Sequence, residues 1–131
     1  MDQVAFIEWD ELLAIHRDQL EKYGGQDGFI DEGVVKSALF RPQFIAQYEA
    51  EADLADMAAG YLYALTTTQG FSDGNKRTGA VAAEYFLNKN GWETRFHPKL
   101  MYAISMMVAR TEIDEEALAE FIRYALIEVT D

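Results

Sequence analysis

Apolar residues in this chain recur at three- and four-residue spacings over short stretches, and each stretch is closed by glycine, proline or a cluster of turn-forming residues. That pattern predicts a set of short amphipathic helices. The clearest runs from about Asp53 to Thr68, where Leu54, Met57, Ala58, Tyr61, Leu62 and Leu65 share one face. An earlier helix carries Trp9, Leu12, Leu13, His16, Leu20 and Tyr23 and stops at Gly24-Gly25. Asp31 can cap a short second helix through Val34, Val35, Ala38 and Leu39, which is expected to end before Pro42 because the residue preceding proline avoids the helical region. Small residues from Gly79 to Ala83 predict a central helix that lets its neighbours approach closely and stops at Asn90-Gly91. Leu100, Met101, Ile104, Met107 and Val108 predict a fifth helix ending near Arg110. Asp114, Glu115 and Glu116 open a last one, their negative charge matching the helix dipole, with Leu118, Phe121, Ile122 and Ala125 on its apolar face. Between Arg41 and Asp53 the helical stripe is lost, and the alternation of Phe44, Ala46 and Tyr48 reads as an extended flap; Trp92 to Pro98 reads as irregular or briefly extended. The expected fold is all-α: one compact domain over residues 1–131, a bundle of about six helices with a small flap or β-hairpin.

Composition narrows the functions open to such a bundle. Eleven Lys and Arg against 23 Asp and Glu leave a net charge of −12, which opposes direct DNA binding and adsorption to anionic membranes. No cysteine is present and there are only two histidines, so thiolate metal sites, disulfides and a cysteine nucleophile are excluded, and any metal would be held by oxygen. No apolar run reaches membrane-spanning length and the first residues lack a signal-peptide pattern, so a soluble, cytoplasmic protein is expected.

The segment Phe71-Ser72-Asp73-Gly74-Asn75-Lys76-Arg77 interrupts this helical pattern between two long predicted helices. Lys76 and Arg77 fall in the first turn of the following helix, where the dipole disfavours cations by about 0.3–1 kcal/mol each. Free N–H groups at the helix start, a glycine allowing close approach and two basic side chains describe a cradle for phosphate. Asp73 fits such a site if it shares a magnesium ion with phosphate oxygens. The other reading is a plain turn, with Asp73 or Asn75 capping the helix and Lys76 and Arg77 facing solvent. Residue chemistry alone leaves both open.

The stretch Gln69-Gly70-Phe71-Ser72-Asp73-Gly74-Asn75-Lys76-Arg77 resembles the signature of the Fic/Doc (fido) family, whose Doc branch reads H-x-F-x-D-x-N-K-R. The likeness extends to Tyr23-Gly24-Gly25-Gln26-Asp27-Gly28, to Asp31-Glu32-Gly33 with Ala38-Leu39-Phe40-Arg41-Pro42-Gln43, to Phe86-Leu87-Asn88-Lys89-Asn90-Gly91 and to Glu112-Ile113. It implies a helical fido domain whose signature loop joins two central helices. It also implies the toxin of a toxin–antitoxin pair that transfers phosphate from ATP or another nucleoside triphosphate, with Mg2+, to a threonine of elongation factor Tu. By position, Asp73 would ligate magnesium, Gly74 and Asn75 would present an anion hole, Lys76 and Arg77 would hold phosphates, and Phe71 would anchor the loop. The Arg41–Glu49 segment would be the flap that docks the target. An antitoxin is implied as partner, its C-terminal segment folding as a helix into an apolar groove. The arginine-bearing extension of the nucleotidyl-transferring branch is missing after Gly79, which favours phosphate transfer over transfer of a nucleotide monophosphate.

Gln69 stands where the family has its catalytic histidine. A carboxamide cannot titrate, so the general base is missing and transfer should fall by about 10²–10⁴-fold while phosphate binding survives. A non-catalytic module that binds nucleotide or a partner is therefore a second reading. His16, on the apolar face of the first helix, and His97, before Pro98, are expected to be structural rather than substitute bases. Met106, Met107, Tyr61, Tyr63 and Tyr85 are expected in the core.

Overall fold

The computed structural model describes residues 3–129 and is built from six helices and one two-stranded ribbon. In chain order these are α1 (Trp9–Tyr23), α2 (Glu32–Tyr48), α3 (Leu54–Thr68), α4 (Asn75–Lys89), β1 (Trp92–Thr94), α5 (Pro98–Ala109), α6 (Glu115–Ala125) and β2 (Leu126–Glu128). The all-α class is as the periodicity predicts. Helix starts follow local chemistry: the carboxylates of Asp31, Asp53 and Asp114 each accept from a backbone N–H in the first turn of α2, α3 and α6. Asp53 and Asp56 close a reciprocal capping box.

α3 lies at the centre, with most of its side chains buried. α2 and α4 approach it closely because glycine occupies the contact points. A Cβ on Gly60 would lie 2.9 Å from Ile45 Cδ1, and one on Gly79 would lie 3.0 Å from Thr66 Oγ1 and 3.2 Å from the Leu62 carbonyl. α6 completes the other side of α3 with Leu118 and Ile122 fully buried. The residues ahead of α1 strap the bundle: Ile7 N–H donates to Tyr61 Oη at 2.9 Å, and Ala5 exchanges two hydrogen bonds with the Asn90 side chain. α1 is tied to α4 by Glu11, which receives Lys89 Nζ at 2.8 Å and the Tyr85 hydroxyl. Burial works against the Glu11 carboxylate, but these hydrogen bonds outweigh it and hold the group below the usual carboxylate range.

Two readings of the chain are corrected. The second helix does not end before Pro42 but runs through it to Tyr48, so residues 41–48 are helical rather than an extended flap. Proline inside a helix costs about 3 kcal/mol, yet Pro42 and Ile45 are buried against α3, and Arg41 pairs with Glu115 of α6 at 2.6 Å. Those contacts hold the backbone helical. The buried set Val35, Ala38, Pro42, Ile45 keeps 3-4-3 spacing across the proline, whereas Phe44, Ala46 and Tyr48 all lie in solvent. Their alternation therefore reflects no strand. The ribbon forms elsewhere, from β1 and β2 in antiparallel register with Glu93 opposite Ile127. Glu84 of α4 fixes β1 by accepting from the Thr94 N–H at 3.0 Å and its hydroxyl at 2.6 Å.

Smaller differences concern α5, where Met101, Ile104 and Val108 are buried but Leu100 is exposed and Met106 and Met107 are only half-buried. Tyr61 is fully buried, while Tyr63 and Tyr85 sit at the core's edge. Among the described residues no helix is long and apolar enough to cross a membrane.

Candidate functional site

Residues 69–74 form the turn between α3 and α4, and the chain leaving α1 holds that turn from outside. The Gly70 carbonyl accepts from the N–H groups of Ile30 at 2.8 Å and Asp31 at 3.0 Å, and Ser72 N–H donates to the Gly28 carbonyl at 3.0 Å. Gln26 N–H donates to Asp73 Oδ2 at 2.7 Å. Two glycines make this docking possible. A Cβ on Gly70 would lie 2.6 Å from Val35 Cγ2, and Gly25, at φ +122°, would press a Cβ to 3.0 Å from that of Asp73.

Beneath the turn runs a column of stacked rings. Phe71 is 1% exposed; His16 lies face to face on it with centroids 3.7 Å apart, Phe29 stacks with it at 5.4 Å, and Trp9 follows Phe29 at 6.0 Å. Phe71 thus anchors the loop in the core. The Asn75 side chain clamps the same residue, its Oδ1 accepting from Phe71 N–H and its Nδ2 donating to the Phe71 carbonyl, both at 3.0 Å.

α4 begins at Gly74, which is left-handed at φ +80° and offers no side-chain cap. The capping role considered for Asp73 or Asn75 is therefore not what these side chains do: Asp73 is bonded to Gln26, and Asn75 to Phe71. What the helix start offers is main chain. The N–H groups of Gly74, Asn75, Lys76 and Arg77 have no hydrogen-bond acceptor among the described residues, and Thr78 is the first to bond back, to the Gly74 carbonyl at 2.9 Å. Neither Lys76 nor Arg77 has a carboxylate within 4.0 Å among the described residues, so both cations stand at the positive end of α4 without an ion-pair partner there.

Arg77 is held in another way. Its guanidinium lies between the rings of Tyr23 and Tyr102, 4.3 and 4.4 Å from their centroids. It lines a cleft where the ends of α1, α4 and α5 meet, together with Lys22 and Lys99. Tyr23, Tyr102, Gly25 and Gln26 are contacts that reasoning from the sequence did not find. The glycine pair was legible as a helix stop, but nothing local linked it to Asp73, 48 residues away from Gly25.

Gln69 is the C-cap of α3, exposed, with φ 52° and ψ 50°. Its side chain makes no hydrogen bond among the described residues and is free to meet a ligand. Non-glycine residues seldom adopt this left-handed region, where Asn, Asp and His are enriched. The two histidines are engaged elsewhere: His16 Nε2 donates to the Asp73 carbonyl at 2.8 Å, and His97 caps α5 by accepting Lys99 N–H at Nδ1. Both are structural, as expected.

Among the described residues no group of three or more His, Asp or Glu side chains could enclose a metal. Magnesium bound through a single carboxylate and nucleotide oxygens needs no such cage. Asp73 suits that arrangement: it is exposed, and one carboxylate oxygen is fixed by Gln26 while Oδ1 is unengaged.

Comparison with known proteins gives two kinds of match. The model of the Fic/DOC family matches residues 6–87, which include α1 to α4 up to Leu87 and the whole turn. The chain is 33% identical to "Protein kinase doc" of Escherichia phage P1 over 114 residues, spanning 87% of this chain and 90% of that protein. It is also 39% identical to "Toxin Doc" of Mycolicibacterium smegmatis over 70 residues, 53% of this chain and 54% of that one.

Proposed function

Because the chain belongs to the Fic/DOC family, in its Doc-type branch, we propose that it is the toxin of a toxin–antitoxin pair, a phosphotransferase fold using a nucleoside triphosphate, with Gln69 limiting its chemistry. The observation that carries this reading is the start of α4: four N–H groups without acceptors, Lys76 and Arg77 without carboxylates, and Asp73 with one free oxygen, all within one rigid turn. A triphosphate answers each of these at once. Its terminal phosphate accepts from the Gly74 and Asn75 N–H groups, and Lys76 and Arg77 neutralise its charge. Magnesium, when bound, neutralises phosphate charge and would be held by Asp73.

In the proposed reaction a threonine hydroxyl of elongation factor Tu attacks the γ-phosphorus in line. A bond forms to the hydroxyl oxygen, the bond to the β-phosphate oxygen breaks, and the diphosphate leaves. Gln69 orients the hydroxyl by hydrogen bonding, as glutamine positions water in some GTPases. Its carboxamide takes no proton, which therefore passes to solvent, and the rate falls accordingly. Gln69 also favours one alternative: the same anion site in a module that binds nucleotide or a partner without turnover. The second partner proposed is an antitoxin whose C-terminal helix enters an apolar groove. Exposed Phe121 and Tyr124 of α6, flanking a groove with Phe96, supply a surface of that kind.

Incubation of the chain and of Gln69→His with elongation factor Tu and γ-labelled ATP tests the reading. Slow transfer by the chain and rapid transfer by Gln69→His are expected. Label delivered from the α-phosphate instead would mean nucleotide transfer. Nucleotide binding without transfer by either protein would leave the binding module.

A further inference from the structure

His16 is buried to 3% exposure on the core face of α1, far in sequence from the turn, yet both of its interactions fall on the turn. The ring covers Phe71, and Nε2 lies 2.8 Å from the Asp73 carbonyl oxygen. A carbonyl only accepts, so Nε2 carries the proton and donates. We infer that His16 is a positioning residue of the anion site, setting the orientation of the Asp73–Gly74 peptide; this rests on the reading of the turn as a phosphate site.

The argument is geometric. A trans peptide is planar, with its C=O and N–H pointing in opposite directions. Drawing the Asp73 carbonyl inward onto His16 therefore sends the Gly74 N–H outward, away from α1, where no protein acceptor meets it among the described residues. A hydrogen bond to the carbonyl also polarises the amide and makes its N–H a stronger donor to an anion. Asp73 is fixed at a second point, since Gln26 N–H holds Oδ2 at 2.7 Å. With backbone and side chain both pinned, Asp73 presents its free carboxylate oxygen and the Gly74 N–H together. Gly74, left-handed at φ +80°, would be free to rotate without that restraint. Among the described residues no other side chain donates to the Asp73 carbonyl.

Two variants separate the donor from the ring. His16→Phe keeps an aromatic ring against Phe71 but has no N–H, whereas His16→Gln gives up the ring and keeps an N–H at similar reach. If His16 acts as inferred, His16→Phe weakens binding of ATP with Mg2+ by about tenfold, the scale of one net hydrogen bond, and His16→Gln stays within about threefold of the parent. Amide ¹⁵N relaxation should show Gly74 more mobile in His16→Phe only. In the unaltered protein the imidazole should be protonated on Nε2 by ¹⁵N shifts. An Nδ1-protonated neutral ring, or an unchanged Gly74 amide in His16→Phe, overturns the inference even if neither variant can be compared for binding. If the parent bound no nucleotide while Gly74 still loosened in His16→Phe, the phosphate reading would fall and the control of the peptide by His16 would stand.

Discussion

Replacing Asn75 in two ways should reverse the usual link between a site residue's effects on stability and on binding. Its carboxamide makes two hydrogen bonds of 3.0 Å to Phe71 main chain in a half-buried turn. Asn75→Ala removes both. At about 0.5–1.5 kcal/mol net for each bond, and with about 0.5 kcal/mol returned by alanine's better helix propensity, the loss is about 0.5–2.5 kcal/mol. For a domain of this size that is a fall in Tm of about 2–12 °C. Asn75→Asp keeps the acceptor for Phe71 N–H but turns its second oxygen, which cannot donate, towards the Phe71 carbonyl. Its charge in the first turn of α4 is favourable by about 0.3–1 kcal/mol and offsets part of that loss, so its net cost should not exceed that of alanine. For an anion the order inverts. Alanine leaves the Asn75 N–H in place and lowers nucleotide affinity only through loop mobility, about threefold, whereas a carboxylate beside the phosphates lowers it more than tenfold. Chemical denaturation and calorimetric titration with ATP and Mg2+ measure the two quantities on the same samples. Equal losses of affinity in the two variants, or a larger one for alanine, would refute the assignment of the Asn75 side chain to the loop and of its N–H to the ligand.

Gly25→Ala places a Cβ at φ +122° and 3.0 Å from that of Asp73, and should destabilise the fold by about 1–3 kcal/mol while weakening the magnesium dependence of nucleotide binding, read by thermal melts and by titration with and without the metal. Arg77→Ala should weaken nucleotide affinity and also lower stability by about 1–2 kcal/mol, because two cation–π contacts are lost; relief of the charge at the helix start, which from sequence alone would leave stability unchanged or raised, is the smaller effect. Burial raises the Asp53 carboxyl's pKa, but its hydrogen bonds from Arg123 and the Asp56 backbone outweigh this and bring it to about 2. A depressed acid stabilises the fold fully above its unfolded pKa of about 3.9 and loses that contribution as pH falls towards 2. With the side chain about half exposed, screening limits the effect to about 1 kcal/mol, and Asp53→Asn should flatten that limb of an acid denaturation curve.

The helices other than α2 were legible in the sequence because their signals are local. Asp53, Asp114 and the glycines at 24–25 and 91 act within a turn of the ends they mark, and the period of Leu54 to Leu65 needs no partner to be read. The positions of the loop residues, including Lys76 and Arg77 in the first turn of α4, were legible for the same reason. Proline at 42 carries an equally local signal, and there it misled: its cost is overridden by Pro42 and Ile45 packing on α3 and by the ion pair of Arg41 with Glu115, 74 residues beyond that arginine. β1 and β2 pair across a separation that no strand propensity over three residues reveals.

For the site, the sequence by itself determined which groups are present: a helix start without an acidic first turn, two cations, one carboxylate, and a glutamine at the head of the turn. Tertiary structure decided what each group is free to do. It committed the Asn75 side chain to Phe71, one oxygen of Asp73 to Gln26, the Asp73 carbonyl to His16 and the Arg77 guanidinium to two tyrosines, leaving main-chain N–H groups and a single carboxylate oxygen available. The reason is one of range. Capping and periodicity act over one turn of chain, whereas a hydrogen bond or a ring stack forms between whichever groups packing brings within a few ångströms, and in this fold α1 and the segment that follows it are brought onto a loop some fifty residues away.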